Sequence, residues 1–193
     1  MKKFILFYLF VNYNKCGDTM KEIMIITGAS SGMGKEFARQ IEKKYQVDEL
    51  WVIARRKERL ESLKEMLETK VRVFALDLTQ KESFEILQET LLKEKPRVKV
   101  LVNCSGYGKL DHYENMSLET IENMMNLNML AVVKMVNTVL PYMHKESHIV
   151  NFASCSGYMP IPYLNILFIL TQSPDFYLAQ RTCFLHNMAW LGE

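Results

Sequence analysis

The sequence predicts an α/β fold, a doubly wound parallel sheet with helices on both faces in three α/β/α layers. Two observations predict it. Between residues 23 and 153, five short apolar runs alternate with four longer segments of helical periodicity. The runs are apolar throughout, which is typical of parallel strands that are buried on both faces. Strands that alternate with helices in this way are joined by right-handed crossovers.

The predicted strands cover residues 23–27, 50–54, 71–76, 98–103 and 148–153. The predicted helices cover residues 33–44, 57–70, 79–94 and 117–144, where apolar residues recur every three or four positions. Thr79 and Glu82 have the T-x-x-E spacing of a capping box, so the third helix is expected to begin at Thr79. Ser117 is the expected N-cap of the fourth helix.

The amino-acid composition excludes several classes of protein. The chain has 193 residues, of which 49% are hydrophobic and 24% are charged, which fits one globular domain and excludes disorder and a polytopic membrane protein. A net charge of +2 gives no electrostatic case for binding nucleic acid or an anionic membrane. The four cysteines lie far apart without a C-x-x-C motif, so we predict no metal site and a reducing, cytoplasmic location.

The two ends differ from the middle. Residues 4–11 form an apolar run after two lysines, and three interpretations stay open: a weak secretory signal or surface anchor, a structured extension, or a non-native extension. The third is favoured because Met20 stands directly before the first predicted strand. Residues 165–193 contain only three charged side chains. We therefore predict an extension over 1–20, a nucleotide-binding domain over 21–164 and an atypical tail over 165–193.

A glycine-rich turn joins the first strand to the first helix. It reads Thr27-Gly28-Ala29-Ser30-Ser31-Gly32-Met33-Gly34. Glycine lets the backbone approach a diphosphate closely, and the free N–H groups of the following helix favour an anion. The turn is therefore predicted to bind the phosphates of a nucleotide.

This T-G-x-x-x-G-x-G pattern resembles the signature of the short-chain dehydrogenase/reductase family, and the resemblance covers about residues 21–164. The chain is identified as a C-terminally truncated or frameshifted member. The resemblance implies a Rossmann fold, incomplete at its C-terminal side, that binds NAD or NADP. It also implies hydride transfer to or from a small carbonyl or alcohol substrate and, for a complete member, a homo-oligomer.

The choice of coenzyme is predicted from the end of the second strand. NAD-binding sheets place an acidic residue there to bind the ribose 2′-hydroxyl, but this chain has Arg55 and Arg56. Guanidinium groups bind the 2′-phosphate of NADP with paired donors, and the hydroxyls of Ser30 and Ser31 add to them. NADP is therefore predicted over NAD. The alternative is a pair of ordinary surface arginines at a helix start.

The resemblance assigns further residues. Asp77 and Leu78 correspond to the adenine site, although Asp77 also suits the approach to a helix cap. Asn103, Ser105 and Gly106 stand where the family has N-N-A-G beside the adenosine ribose; Asn103 and Gly106 match the motif and Ser105 departs from it, as does Cys104.

Two catalytic positions follow from the same resemblance. Asn128 corresponds to the helix asparagine that holds a water in the proton relay, and Ser154 to the serine that hydrogen-bonds the substrate oxygen. The family's Tyr-x-x-x-Lys motif, which supplies the general acid, is absent from residues 164–171. Residues 168–173 can be encoded TTT ATT CTN ACN CAA AGY, and the same bases read two nucleotides later give Tyr-Ser-x-(Ser or Ala)-Lys when the free positions allow it. This favours an out-of-frame tail, with a divergent tail as the alternative.

Three function classes stay open. The first is an NADP-dependent oxidoreductase, and the second is a truncated, catalytically inactive nucleotide-binding remnant. The third is a surface-anchored protein that uses residues 4–11.

Overall fold

Five parallel strands form one sheet in the order β3-β2-β1-β4-β5 in the computed structural model, which describes residues 20–153. The strands are β1 (Glu22–Thr27), β2 (Glu49–Ala54), β3 (Val71–Ala75), β4 (Arg97–Asn103) and β5 (Met143–Asn151). The helices are α1 (Gly32–Ile41), α2 (Lys57–Lys64), α3 (Lys81–Glu94), α4 (Leu118–Met125) and α5 (Ala131–Val139). The predicted doubly wound parallel sheet is confirmed.

Side chains of the central strand β1 alternate between two hydrophobic cores. Ile23 and Ile25 pack in a core that includes residues of α3 and α5, whereas Met24 and Ile26 pack in a core that includes residues of α1 and α2. All four side chains are fully buried. Helices therefore cover both faces of the sheet, which explains why the strand sequences are apolar throughout.

The second helix ends earlier than its apolar spacing predicts. α2 stops at Lys64 rather than at residue 70. The carboxylate of Glu42, just after α1, accepts hydrogen bonds from the backbone N–H groups of Glu68 (3.1 Å) and Thr69 (3.2 Å). These bonds hold the segment before β3 in a turn, while Leu67 still packs against the core as the pattern predicted.

The predicted capping box at Thr79 is wrong. The Oδ1 atom of Asp77 accepts hydrogen bonds from the Thr79 backbone N–H (2.9 Å) and from its hydroxyl (2.8 Å). The Thr79 hydroxyl oxygen accepts from the Gln80 side-chain amide (3.0 Å) rather than from a backbone N–H of the helix, so Thr79 does not cap it. α3 begins two residues later, at Lys81, and Gln80 precedes it without a side-chain cap.

The fourth predicted helix is divided. Ser117 is its N-cap, as predicted, and accepts a hydrogen bond from the Thr120 backbone N–H (3.3 Å). α4 and α5 are separated by a π-helical turn over Asn126–Leu130, and α5 gives way to a 3₁₀ turn over Leu140–Tyr142. Pro141, which lacks a backbone N–H, lies in that last turn.

Strand β5 begins at Met143, five residues before the predicted start at residue 148. Its first part contains a bulge. Val98 pairs with Met143, but Val100 already pairs with His148. The Ser147 hydroxyl holds the bulge, since it donates to the Val98 carbonyl oxygen (2.6 Å) and accepts from the His144 backbone N–H (2.9 Å). The missing alternation of apolar residues over 144–147 hid this part of the strand.

The predictions for residues 1–19, for the tail and for Ser154 lie outside the described residues. Within residues 20–153, no helix has the length and apolar character needed to cross a bilayer.

Candidate nucleotide-binding site

A cavity of about 280 Å³ lies at the carboxyl ends of β1, β2, β3 and β4. It opens at the point where the chain order reverses between the neighbouring strands β1 and β4, the usual place of ligand sites in open α/β sheets. Its lining residues are Gly28, Ser30, Ser31, Gly32, Met33, Gly34, Ala54, Arg55, Arg56, Leu76, Asp77, Leu78, Cys104, Ser105, Gly106 and Leu127. Apart from Asn103, every residue predicted to contact the coenzyme lines this cavity.

Two glycines of the turn are required for different reasons. Gly28 has a φ of +70°, and a Cβ atom there would lie 2.5 Å from the Cys104 carbonyl oxygen, so packing between β1 and β4 excludes a side chain. Gly32 has a φ of +55°, and a Cβ atom there would meet nothing within 4 Å. At Gly32 the backbone therefore borders open space, as a surface that receives a phosphate requires.

The first turn of α1 faces the same cavity. Gly32, Met33 and Gly34 line it, and the first N–H groups of an α-helix have no partner within the helix. Ser31 precedes the helix without a side-chain cap, and the first turn contains no acidic residue. The positive end of the helix dipole is therefore not compensated by a carboxylate of its own first turn, and an anion is stabilised there.

The Arg56 side chain lines the cavity and is oriented by two hydrogen bonds. Its Nη2 atom donates to the hydroxyl oxygens of Ser30 (3.0 Å) and Ser31 (2.9 Å). The structure thus brings together three of the four residues that were predicted to surround a 2′-phosphate, whereas Arg55 does not take part in these hydrogen bonds. Because the hydroxyls accept from Arg56, their own hydrogens are free to point toward an anion, and the guanidinium retains further N–H donors.

Arg55 and Asp77 form a looser pair at the adjacent strand ends. The Arg55 Nη1 atom is 4.0 Å from Oδ2 of Asp77, and the Arg55 side chain is 64% exposed. The other oxygen of Asp77 binds Thr79, so Asp77 both lines the cavity and fixes the turn before α3. Leu78 lies beside it with its side chain buried.

The loop after β4 is fixed by Thr27, which was predicted only as the first residue of the glycine-rich turn, without a role of its own. Its hydroxyl oxygen accepts hydrogen bonds from the backbone N–H groups of Cys104 (3.0 Å) and Ser105 (3.1 Å). A polar residue that ends an apolar strand was the available indication of this role. Burial raises the pKa of the Cys104 thiol, which therefore remains protonated and weakly nucleophilic at neutral pH.

Asn103 lies outside the cavity and joins two strands instead. Its Nδ2 atom donates to Oδ1 of Asn151 (2.9 Å), which ties the end of β4 to the end of β5. Its own Oδ1 atom is buried and has no hydrogen-bond partner among residues 20–153.

Asn128 lies in the π-helical turn and binds the backbone that follows Gly106. Its Oδ1 accepts from the Tyr107 N–H (3.0 Å), and its Nδ2 donates to the Tyr107 carbonyl oxygen (2.8 Å). A Cβ atom on Gly106 would lie 3.1 Å from the same Oδ1. Asn128 therefore holds the loop beside the cavity, and no sequence pattern pointed to Tyr107 as its partner.

Comparisons with known proteins agree with this geometry. A family model described as short chain dehydrogenase matches residues 22–166. The 3-ketodihydrosphingosine reductase of Bacteroides thetaiotaomicron is 34% identical over 144 residues, which cover 74% of this chain and 50% of that protein. An uncharacterized oxidoreductase of Staphylococcus epidermidis is 26% identical over 142 residues, which cover 72% of this chain and 61% of that protein.

The solved structures include the closed form of a serine dehydrogenase complexed with NADP⁺. It is 28% identical, with a TM-score of 0.74, and the match covers 83% of this chain and 65% of that chain. The chain thus spans between half and about three fifths of the length of the two curated relatives.

Proposed function

The chain belongs to the short chain dehydrogenase family, and we propose that it is an NADP-dependent oxidoreductase that transfers hydride between NADP(H) and a carbonyl or alcohol substrate. The observation that carries the choice of coenzyme is the cluster of Arg56, Ser30 and Ser31 at the cavity mouth. The serine dehydrogenase structure, which is complexed with NADP⁺, supports this coenzyme, and the Bacteroides protein, which is by name a reductase, supports the reaction type.

The residues present fit such a coenzyme. The open space at Gly32 and the uncapped start of α1 suit the diphosphate, which the turn over residues 28–34 would hold. Asp77 and Leu78 would contact the adenine, and Ser105 and Gly106 the adenosine ribose. When bound, the nicotinamide gives or accepts the hydride.

NADP is favoured over NAD by charge and by shape. A 2′-phosphate carries up to two negative charges and three acceptor oxygens, and a planar guanidinium offers parallel N–H donors to such a group. Arg56 is already oriented by two hydroxyls, so little side-chain entropy is lost on binding. Residues 54–56, at the end of β2, include no carboxylate. In NAD-binding sheets a carboxylate at this place accepts a hydrogen bond from the ribose 2′-hydroxyl.

For the chemical step, we assign roles to two of this chain's residues. Asn128 uses one hydrogen of Nδ2 and one lone pair of Oδ1 for Tyr107, so its amide retains a donor and an acceptor for a relay water. Ser154 would donate a hydrogen bond to the substrate oxygen, as the family motif implies.

A second function is favoured by one feature of the sequence. Residues 164–171 contain neither tyrosine nor lysine where the family has its Tyr-x-x-x-Lys motif. The alternative is therefore a catalytically inactive chain that binds NADP(H) without reducing a substrate.

Titration of the full chain with NADPH tests both proposals at once. We expect NADPH to bind, measured by calorimetry and by the change in nicotinamide fluorescence. NADPH oxidation in the presence of aldehydes and ketones then identifies the oxidoreductase, whereas binding without oxidation identifies the inactive chain. Folded protein that binds neither NADPH nor NADH would contradict both proposals.

A further inference from the structure

An aromatic contact joins the residue that follows β5 to helix α1, whose first turn lines the cavity. Phe152 follows β5 directly, and its ring meets the ring of Phe37 edge to face, with centroids 5.8 Å apart and planes at 85°. Both side chains are partly buried against the core on the α1 side of the sheet. The Phe152 backbone N–H also donates to the Asn103 carbonyl oxygen (2.9 Å).

This contact joins two parts of the molecule that are far apart in sequence. Phe37 lies on α1, five residues after Gly32, whose backbone borders the cavity. Phe152 stands two residues before Ser154, and two residues of chain span at most about 7 Å. The contact therefore fixes the backbone at Phe152, close in sequence to the serine that the proposed function assigns to the substrate oxygen.

We propose that Phe37 is a positioning residue, which through Phe152 fixes the exit of the chain from β5 relative to the coenzyme cavity. This inference rests on the proposed function, because that function assigns Ser154 to the substrate oxygen. Edge-to-face aromatic pairs contribute beyond the area that they bury, and they also restrict orientation. Leucine at position 37 retains apolar volume but loses the ring edge, whereas tyrosine retains the ring.

The variants are Phe37→Leu and Phe37→Tyr, with Phe84→Leu as the matched control. Phe84 is a buried phenylalanine of α3 on the opposite face of the sheet, so its replacement reports loss of core packing without loss of the aromatic contact. Hydrogen–deuterium exchange at the Phe152 amide is the first readout, since it needs no turnover. The second readouts are the NADPH dissociation constant and, where the chain oxidises NADPH, kcat and KM.

In Phe37→Leu we expect the Phe152 amide to exchange about 3- to 10-fold faster, while the amides of β1 and β2 keep their rates. The NADPH dissociation constant should stay within about twofold, and kcat should fall several-fold with KM for NADPH unchanged. Phe37→Tyr should restore wild-type exchange.

Acceleration across all strands, as expected for Phe84→Leu, or an unchanged rate at Phe152 would overturn the inference. A wild-type chain that binds NADPH without oxidising it refutes only the activity in the proposed function. In that case, and also if no coenzyme binds, the exchange rate of the Phe152 amide in Phe37→Leu still shows whether Phe37 holds the Phe152 backbone.

Discussion

Replacing Arg56 by alanine is expected to weaken NADPH binding strongly and NADH binding hardly at all. The guanidinium is anchored to both Ser30 and Ser31, and only NADPH presents a 2′-phosphate to it. NADH lacks that phosphate, so its affinity depends on the glycine turn and the start of α1, which the substitution leaves intact.

The magnitude follows from the number and type of bonds. A hydrogen bond to a charged group contributes about 1.5–3 kcal/mol, and because Arg56 is exposed to solvent, a bidentate contact should contribute only about 2–3 kcal/mol in total. Since 1.4 kcal/mol corresponds to a factor of ten in affinity, we expect the NADPH dissociation constant to rise about 30- to 150-fold. The change for NADH should be less than about twofold.

Two further arginines provide the comparison. Arg55→Ala should weaken NADPH binding by less than about fivefold. The Arg55 side chain is 64% exposed and is not firmly oriented, since its Nη1 atom is 4.0 Å from Oδ2 of Asp77. Arg59→Ala is the matched control, since Arg59 is an exposed residue of α2 that does not line the cavity.

Calorimetric titrations of each variant with NADPH and NADH, at low and high salt, measure these differences. The discrimination between the coenzymes in the wild type should shrink as salt increases, because it is largely electrostatic. Equal losses for NADPH and NADH in Arg56→Ala, or a larger loss in Arg55→Ala, would refute the assignment of the 2′-phosphate site. Circular dichroism confirms that each variant is folded.

Three other predictions concern the turn, the loop and acid stability. Gly32→Ala should cost about 1–2 kcal/mol of stability and abolish NADPH binding, whereas Gly28→Ala, with its clash against a carbonyl, should cost about 3 kcal/mol or more in urea unfolding. Thr27→Val should cost about 2–4 kcal/mol, because two amides lose their acceptor, and Thr27→Ser should restore most of the loss. Burial raises the pKa of Glu49, but hydrogen bonds from Lys21 and Trp51 outweigh it, so the net pKa lies below the ordinary 4.5. Its stabilisation is therefore present above pH 4.5 and lost as the pH falls through the lowered pKa, and Glu49→Gln should flatten the decrease in unfolding free energy below that pH.

The sheet was predictable from the sequence because its strands are buried on both faces. Continuous apolar runs such as 23–27 and 50–54 leave no alternative to a doubly covered sheet, and the observed β1 and β2 differ from them by a single residue. Helix ends were less predictable, because side chains distant in sequence set them. Glu42 holds the turn after α2 through a bond to the Glu68 N–H, 26 residues away, and no local sequence pattern predicts that bond.

The candidate site shows the same division. The residues of the glycine turn and the two arginines were predicted because each occupies a defined position in a strand–turn–helix unit. The pairing of Asn128 with Tyr107 was not predicted, because it depends on the π-helical turn in the middle of the predicted fourth helix. Thr79 was assigned to a cap because its spacing to Glu82 fits, but the nearer carboxylate of Asp77 binds its hydroxyl instead.

The residues proposed to bind the coenzyme precede the stretch, residues 164–171, where the family has its general acid, so the energetics of coenzyme binding and of proton donation can be separated. Among residues 20–153, those that line the cavity lie between positions 28 and 127. A general acid contributes about 10²- to 10⁴-fold to the rate, or roughly 3–6 kcal/mol of barrier, without being needed for the coenzyme to bind. A chain without the donor should therefore bind NADPH with the full Arg56-dependent preference while its turnover stays at background. Loss of both properties together would show instead that the cavity is not built as proposed.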